Sequence, residues 1–306
     1  MVFASQQSFS VWKVQFFTSH LIWFSLPVKS GMVLFVLLDI FKNSFVYEMR
    51  KLNPHIHIVP QWKAIIHSFT QKRGFFMALY AIADLHLSIG EDKKMDKFRG
   101  WENYEQRLRE HWLSIVKSTD TVVIAGDISW AMKLTDTLAD FIFLHELPGK
   151  KLLMKGNHDY WWCTKKKMDD WLMANEFDDM SILFNNAFRY GKYAICGTRG
   201  WSYDCPENEQ NVLLREVGRL EASIKAGIDM GLEPLVFLHY PPVYGDYVCE
   251  EIMEVLTRFG IKKCWYGHLH GAARNKAFTG CFDGVEMSLI SADSLGFIPK
   301  LILPDA

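Results

Sequence analysis

The chain has 306 residues, 49% hydrophobic and 23% charged, with a formal net charge of −1. That size holds one large domain or two ordinary ones, and the composition is that of a folded chain with a substantial core. Six scattered cysteines with no C-x-x-C pair exclude a zinc ribbon or a disulfide framework and suit a reducing compartment, so the expected location is cytoplasmic.

The charge is unevenly spread. Residues 1–76 carry eight Lys/Arg and two Asp/Glu, which leaves 26 basic and 33 acidic residues in the rest. Apolar runs at Leu21–Val28 and Met32–Leu38 are broken by Pro27, Lys29 and Asp39, too short for a spanning helix of about 20 apolar residues. The reading favoured here is a basic, aromatic-rich extension without a fold of its own. Contact with a membrane surface through residues 1–76 is the less favoured alternative.

From Met77 the pattern changes, and residues 77–306 read as one domain. Leu79–Ala83 alternates as a strand and leads into Asp84-Leu85-His86. Trp101–Ser118 has apolar residues at 101, 104, 108, 112 and 115, the spacing of an amphipathic helix. Thr121–Ala125 is a continuous apolar strand ending in Gly126-Asp127, and Lys133–His145 reads as a helix stopped by Pro148-Gly149. The strand Leu152–Met154 breaks into Gly156-Asn157-His158-Asp159.

Short strands follow near Ile182–Phe184, Phe188–Tyr190 and Tyr193–Cys196, then a long helix at about Glu207–Ala226. Strand Pro234–Leu238 runs into His239-Tyr240-Pro241-Pro242, and helix Val248–Phe259 precedes strand Lys262–Tyr266 and Gly267-His268-Leu269-His270. Strands around Ala277–Phe282 and Val285–Ile290 form a hairpin through Asp283-Gly284. This order of continuous apolar strands and helices predicts an α/β fold with helices on the faces of a central sheet.

Five of these strands end in polar clusters, at Asp84/His86, Asp127, Asn157/His158/Asp159, His239 and His268/His270. The carboxyl edge of an open α/β sheet is where ligands bind. Imidazole, carboxylate and carboxamide oxygen without a thiolate suit Mn, Fe, Zn or Ni. In extended backbone, Asp84 and His86 would face one side, as would His268 and His270. Glycines 126, 156 and 267 clear space beside the ligands. The lone carboxylate Asp127 is the natural bridge between two ions about 3.5–4 Å apart.

The motif order D-x-H, G-D, G-N-H-D, H and G-H-x-H resembles the calcineurin-like metallophosphoesterase superfamily over nearly all of residues 78–290. The phrases G-D-I-S-W-A-M, G-T-R-G-W and L-H-Y-P-P are similar to its bacterial predicted-phosphohydrolase branch. The resemblance implies a four-layer α/β/β/α sandwich of the metallo-dependent phosphatase type. It also implies that Asp84, His86 and His270 hold one ion, that Asn157, His239 and His268 hold the other, and that Asp127 bridges them. His158 would sit beside the phosphate, with Asp159 hydrogen-bonded behind it to orient the ring.

The expected cofactors are thus two divalent ions, with Mn2+ favoured, and the expected partner is a small or medium phosphoester. The expected reaction is attack on a phosphomono- or phosphodiester by hydroxide held between the ions. Many relatives carry a carboxylate or Asn three residues after the bridging Asp; here that residue is Trp130, so no substrate is borrowed from them. Arg199, in G-T-R-G-W, is a candidate phosphate clamp or an ordinary structural arginine. Lys165-Lys166-Lys167 reads as a solvated helix start rather than a polyanion site. A non-catalytic scaffold and a nuclease are the competing readings; intact ligands weigh against the first and the acidic balance after residue 76 against the second.

Overall fold

Alternate residues of Leu79–Ile82 (β3) divide between two cores, and that division places every later element. Leu79 and Ala81 enter an inter-sheet layer, while Tyr80 and Ile82 face helices, as the two-residue period of a strand requires. A computed structural model describes residues 77–93, 95–201 and 210–304, together with two short strands, Val14–Phe16 (β1) and Ile22–Phe24 (β2). The chain divides into two units, Met1–Arg73 and Gly74–Ala306. In the first, β1 and β2 pair antiparallel. Apart from this one strand pairing, the expectation that residues 1–76 lack a fold of their own lies outside the described residues.

The second unit contains two main sheets. In the first sheet, β3 pairs in parallel with Thr121–Ile124 (β4), which continues to Lys150–Leu153 (β5) and Met180–Ile182 (β6). The last strand, Lys300–Leu303 (β15), closes its edge antiparallel to β3. The second sheet has a parallel centre of Tyr193–Thr198 (β8), Glu233–Leu238 (β9), Lys263–Tyr266 (β12) and Val285–Leu289 (β14). Phe188–Tyr190 (β7) and Gly280–Phe282 (β13) pair antiparallel at its two edges. A small separate ribbon pairs Val243–Tyr244 (β10) with Tyr247–Val248 (β11).

Three apolar layers define the stacking. Tyr104–Ile115 (α1), Leu138–His145 (α2) and Lys165–Ala174 (α3) pack Leu108, Trp112, Phe141, Leu144 and Met168 on the outer face of the first sheet. Gln210–Asp229 (α4) and Glu250–Arg258 (α5) cover the second with Leu220, Ile224, Ile252 and Leu256. Between the sheets lie Leu79, Val123, Leu152 and Phe237, the last stacked on Trp265 at 5.0 Å. Each fully buried side chain of this size contributes about 1.5–3 kcal/mol. The result is the expected α/β/β/α sandwich.

Local chemistry moves several boundaries. Asn103 takes a left-handed conformation (φ 52°), so α1 begins at Tyr104 and leaves the buried Trp101 outside it. The predicted helix at 133–145 opens instead as a 3-10 turn, Leu134–Thr137, before α2. The lysine run does open a helix: the Thr164 side chain accepts from the Lys167 N–H at the start of α3. The hairpin turn lies at Asp283-Gly284, both with positive φ, as a tight two-residue hairpin needs. Strand β15 carried no turn or motif signal and was not foreseen. No helix among the described residues is long and apolar enough to cross a membrane.

Candidate metal centre

The parallel pairing of β3 with β4 does not stop where the strands do. Asp84 N donates to Gly126 O at 2.9 Å, His86 N to Asp127 O at 2.9 Å, and Leu87 N to Ile128 O at 2.9 Å. The two ligand-bearing loops are therefore locked in register. They are not extended, however. Asp84 (φ 58°), His86 (47°), Asp127 (51°) and His268 (70°) all lie in the left-handed region. Extended backbone, which the D-x-H and H-x-H spacing predicted, therefore does not aim these side chains; left-handed backbone does, at a strain on the order of 1–3 kcal/mol per residue.

The motif glycines give way to close packing. A Cβ on Gly126 would stand 2.6 Å from His239 Nδ1, one on Gly267 2.8 Å from Asp84 Oδ2, and one on Gly156 would collide with Asp127.

The structure brings Asp84, His86, Asp127, Asn157, His158, His239, His268 and His270 together at this edge. His86 Nε2 lies 3.7 Å from Asp127 Oδ2, and His239 Nε2 lies 3.6 Å from Asp127 Oδ1. Asn157 Oδ1 is 2.7 Å from His239 Nε2 and 3.0 Å from His268 Nδ1. The His270 ring stands 5.2 Å from the His86 ring, and the His158 ring 5.6 Å from it. Two donor triads, Asp84/His86/Asp127 and Asp127/His239/His268, share Asp127.

Whether these residues fit metal ions is decided by their unpaired atoms. His86 Nε2 and Asp127 Oδ2 are buried and have no hydrogen-bond partner among the described residues. The His239 ring is neutral, because burial holds its pKa well below the usual 6.5. Its Nδ1 faces the Ala125 carbonyl at 3.1 Å and must donate there, so Nε2 carries a lone pair aimed at Asn157 and Asp127. Burial also keeps His86 well below its ordinary value and takes His268 down to about 4. It pushes the Asp84 carboxyl up to about 8 and Asp127 well above the carboxylate range. Neutral rings and carboxyls crowded together with buried atoms left unpaired are costly in a protein interior, and cations that displace the carboxyl protons satisfy them. The residues fit.

Asp159 has a different task from the one expected. Its carboxylate accepts from Gly156 N at 2.7 Å, Asp127 N at 2.9 Å, Ile128 N at 2.8 Å, Ser129 N at 3.3 Å and Trp161 Nε1 at 3.0 Å. It binds the β4 loop to the β5 loop and so positions Asp127; it does not orient the His158 ring, whose Nδ1 faces the Tyr160 hydroxyl at 3.3 Å. The His158 backbone N–H instead donates to Asp127 Oδ1 at 2.8 Å.

Two further groups support the site, and only one of them, Trp130, stood out in the sequence. Asp140 on α2 accepts from Ile89 N at 2.8 Å and from the Ser129 hydroxyl, tying the β3 and β4 loops to the helix layer. Trp130 stacks on His86 at 4.8 Å and leans on His158 at 4.6 Å, a wall beside the site. The offset from Asp127 pointed to Trp130; nothing local marked Asp140. Arg199 lies next to the centre by its backbone, accepting from His239 N at 3.1 Å and Tyr240 N at 2.8 Å, while its guanidinium faces Glu216 at 3.4 Å.

Fold and donor set together define a metal-dependent phosphoesterase. The family model for calcineurin-like phosphoesterases matches residues 77–272, and the chain belongs to that family. Among solved structures, it is similar to AQ665, a protein of unknown function from Aquifex aeolicus, at 16% identity over 73% of this chain and 95% of that one, with a TM-score of 0.41. It is also similar to a phosphopantetheinyl hydrolase from Mycobacterium tuberculosis, at 15% identity over 76% of this chain and 98% of that one, with a TM-score of 0.45. No curated protein matches the chain.

Proposed function

We propose that the chain hydrolyses phosphomono- or phosphodiesters at a dinuclear centre of divalent ions, Mn2+ by preference, acting on small or medium substrates in the cytoplasm. The observation that carries this reading is the membership of Asp127 in both donor triads. Asp84, His86 and His270 would hold one ion, Asn157, His239 and His268 the other, and Asp127 both. When bound, such ions lower the pKa of water and neutralise charge on phosphoryl oxygens.

The chain's own residues supply the rest. Asp127 is held from behind by Asp159, and its Oδ2 has no hydrogen bond among the described residues. His158 is half-buried beside His86 and His270, and burial lowers its pKa below the usual 6.5. A neutral imidazole donates a hydrogen bond from one nitrogen, and in this reading that proton goes to the leaving oxygen. Trp130 closes the side of the site next to His158 and excludes water there. Arg199 supports the second triad through its carbonyl.

The test is hydrolysis of aryl phosphate mono- and diesters by the chelated protein before and after reloading with Mn2+, Fe2+, Zn2+ or Ni2+. Metal-dependent turnover is expected; a chain that takes up no metal and cleaves neither ester class overturns the proposal.

A further inference from the structure

Beside the metal centre, at the ends of β5 and β8, three cationic side chains meet around one carboxylate. Lys155, Arg199 and Arg219 line a cavity of about 10 Å3 together with Glu216 and Thr198. Leu183 and Phe184 form its apolar wall, and Arg219 lies over the Phe184 ring at 4.9 Å.

Glu216, on α4, is fully buried and fully used. One oxygen accepts from the Thr198 hydroxyl at 2.6 Å, and the other meets Arg219 at 2.5 Å and Arg199 at 3.4 Å. It fixes two guanidinium groups without neutralising both. Lys155 adds a third positive charge and has no hydrogen-bond or ion-pair partner among the described residues. Arg199 Nε is buried and likewise unpartnered. A local excess of positive charge, with donors unspent, therefore sits in a part of the chain whose overall balance is acidic.

Like charges gathered on a partly desolvated wall repel one another, and an anion relieves that cost. The cavity itself has room for about one oxygen atom. An oxyanion would dock at its mouth with one oxygen inside, held by the arginine forks and the lysine. The location matters as much as the charge. Lys155 directly precedes Gly156-Asn157, and the Arg199 carbonyl holds the backbone of His239. Both sides of the subsite are thus built on backbone next to residues proposed for the second ion, Asn157 on one side and His239 on the other.

We infer that Lys155, Arg199 and Arg219 form a subsite for a second oxyanion of the substrate, so that the preferred phosphoester carries another phosphate or a carboxylate remote from the cleaved bond. This rests on the hydrolase reading above and narrows its substrate class. Arg199 grips that remote group rather than the phosphate being cleaved.

The test uses the full chain in two arms. In the first, inorganic phosphate is titrated calorimetrically into chelated protein. One phosphate is expected to bind, and Lys155→Met and Arg219→Gln are each expected to weaken it tenfold or more. Lys155 makes no hydrogen bond or ion pair among the described residues, so that variant removes the charge while leaving the bonds of Glu216 in place. No uptake by the parent chain, or uptake unchanged in both variants, overturns the subsite.

The second arm compares KM for 4-nitrophenyl alkyl phosphodiesters ending in a hydroxyl or a second phosphate, at three chain lengths, with the metal-loaded protein. The second phosphate is expected to lower KM at least fivefold at one length, and Lys155→Met to remove that advantage. Phosphate uptake with no KM advantage at any length overturns the substrate assignment and leaves a site for free phosphate. If metal-loaded protein cleaves none of the esters, the hydrolase reading and this substrate assignment fall together, while the phosphate titration still decides whether the anion subsite exists.

Discussion

The loops after β4 and β5 each bury a carboxylate, and they treat it in opposite ways. Asp159 receives five N–H donors and has no lone pair aimed at the site. Asp127 receives the His158 N–H on one oxygen and leaves the other buried without a hydrogen bond among the described residues. Both pay for desolvation, which pushes both carboxyls above their ordinary range. One is repaid by the backbone, and the other is left for a cation. A buried acid that is already satisfied supports a site, and one that is not belongs to its chemistry.

This contrast is sharpest at Asp127 itself. Asp127→Asn is expected to lower the occupancy of both ions together and reduce turnover by on the order of 10³-fold. Metal analysis beside a rate assay checks it, and loss of a single ion would break the bridging assignment. Next comes His158→Ala, for which kcat should fall about 10²-fold or more with metal content retained.

Asp159→Asn should act differently from Asp127→Asn. An amide in place of the carboxylate turns an NH2 toward N–H donors, so unfolding stability should drop by about 3 kcal/mol in a denaturant titration. Metal affinity should weaken about 10–100-fold as Asp127 loses its anchor.

A smaller effect concerns pH. With Asp84 raised from 3.8 to about 8 and His268 lowered from 6.5 to about 4, the metal-free site holds carboxyl protons and neutral rings. Ion binding must displace the carboxyl protons, so affinity should rise with pH until about 8, and calorimetry in two buffers should detect proton release. The stability of the chelated chain should move the other way above pH 6.5. There, of the shifted Asp and His groups of the site, the raised carboxyls are the ones that titrate; through them the folded state binds more protons than the unfolded one, and their contribution to stability falls toward pH 8. Below 6.5 the lowered histidines oppose this, since they favour the folded state increasingly as pH rises. The smallest change should come from Thr164→Ala, which removes the α3 cap far from this chemistry. It should cost about 1 kcal/mol in thermal unfolding and leave turnover unaltered.

Much of the fold was legible because the central strands are short apolar runs that each end abruptly. Val122–Ala125 has no polar residue until Asp127, so both the strand and its functional end could be read from one window. What escaped was set by distant backbone. The role of Asp159 depends on N–H groups at 127–129, thirty residues away, and a D following an H looks like its orienting partner until those donors are seen. Arg199 meets Glu216 across seventeen residues and a change of layer. The left-handed turns at Asp84 and His86 had no glycine to announce them, because the pairing of the two loops imposes them. Helix α1 lost its first turn to the conformation of a single asparagine.

The bond pattern of Asp159 has one more consequence, and it concerns time. Four of its donors are backbone amides, at Gly156, Asp127, Ile128 and Ser129, on two loops. None of those hydrogens can swap with deuterium unless the carboxylate lets go, and one carboxylate cannot release one loop while keeping hold of the other in its present pose. The four should therefore be labelled together, as one cooperative unit. Their shared exchange rate, followed in chelated protein, measures how long the site stays assembled on its own.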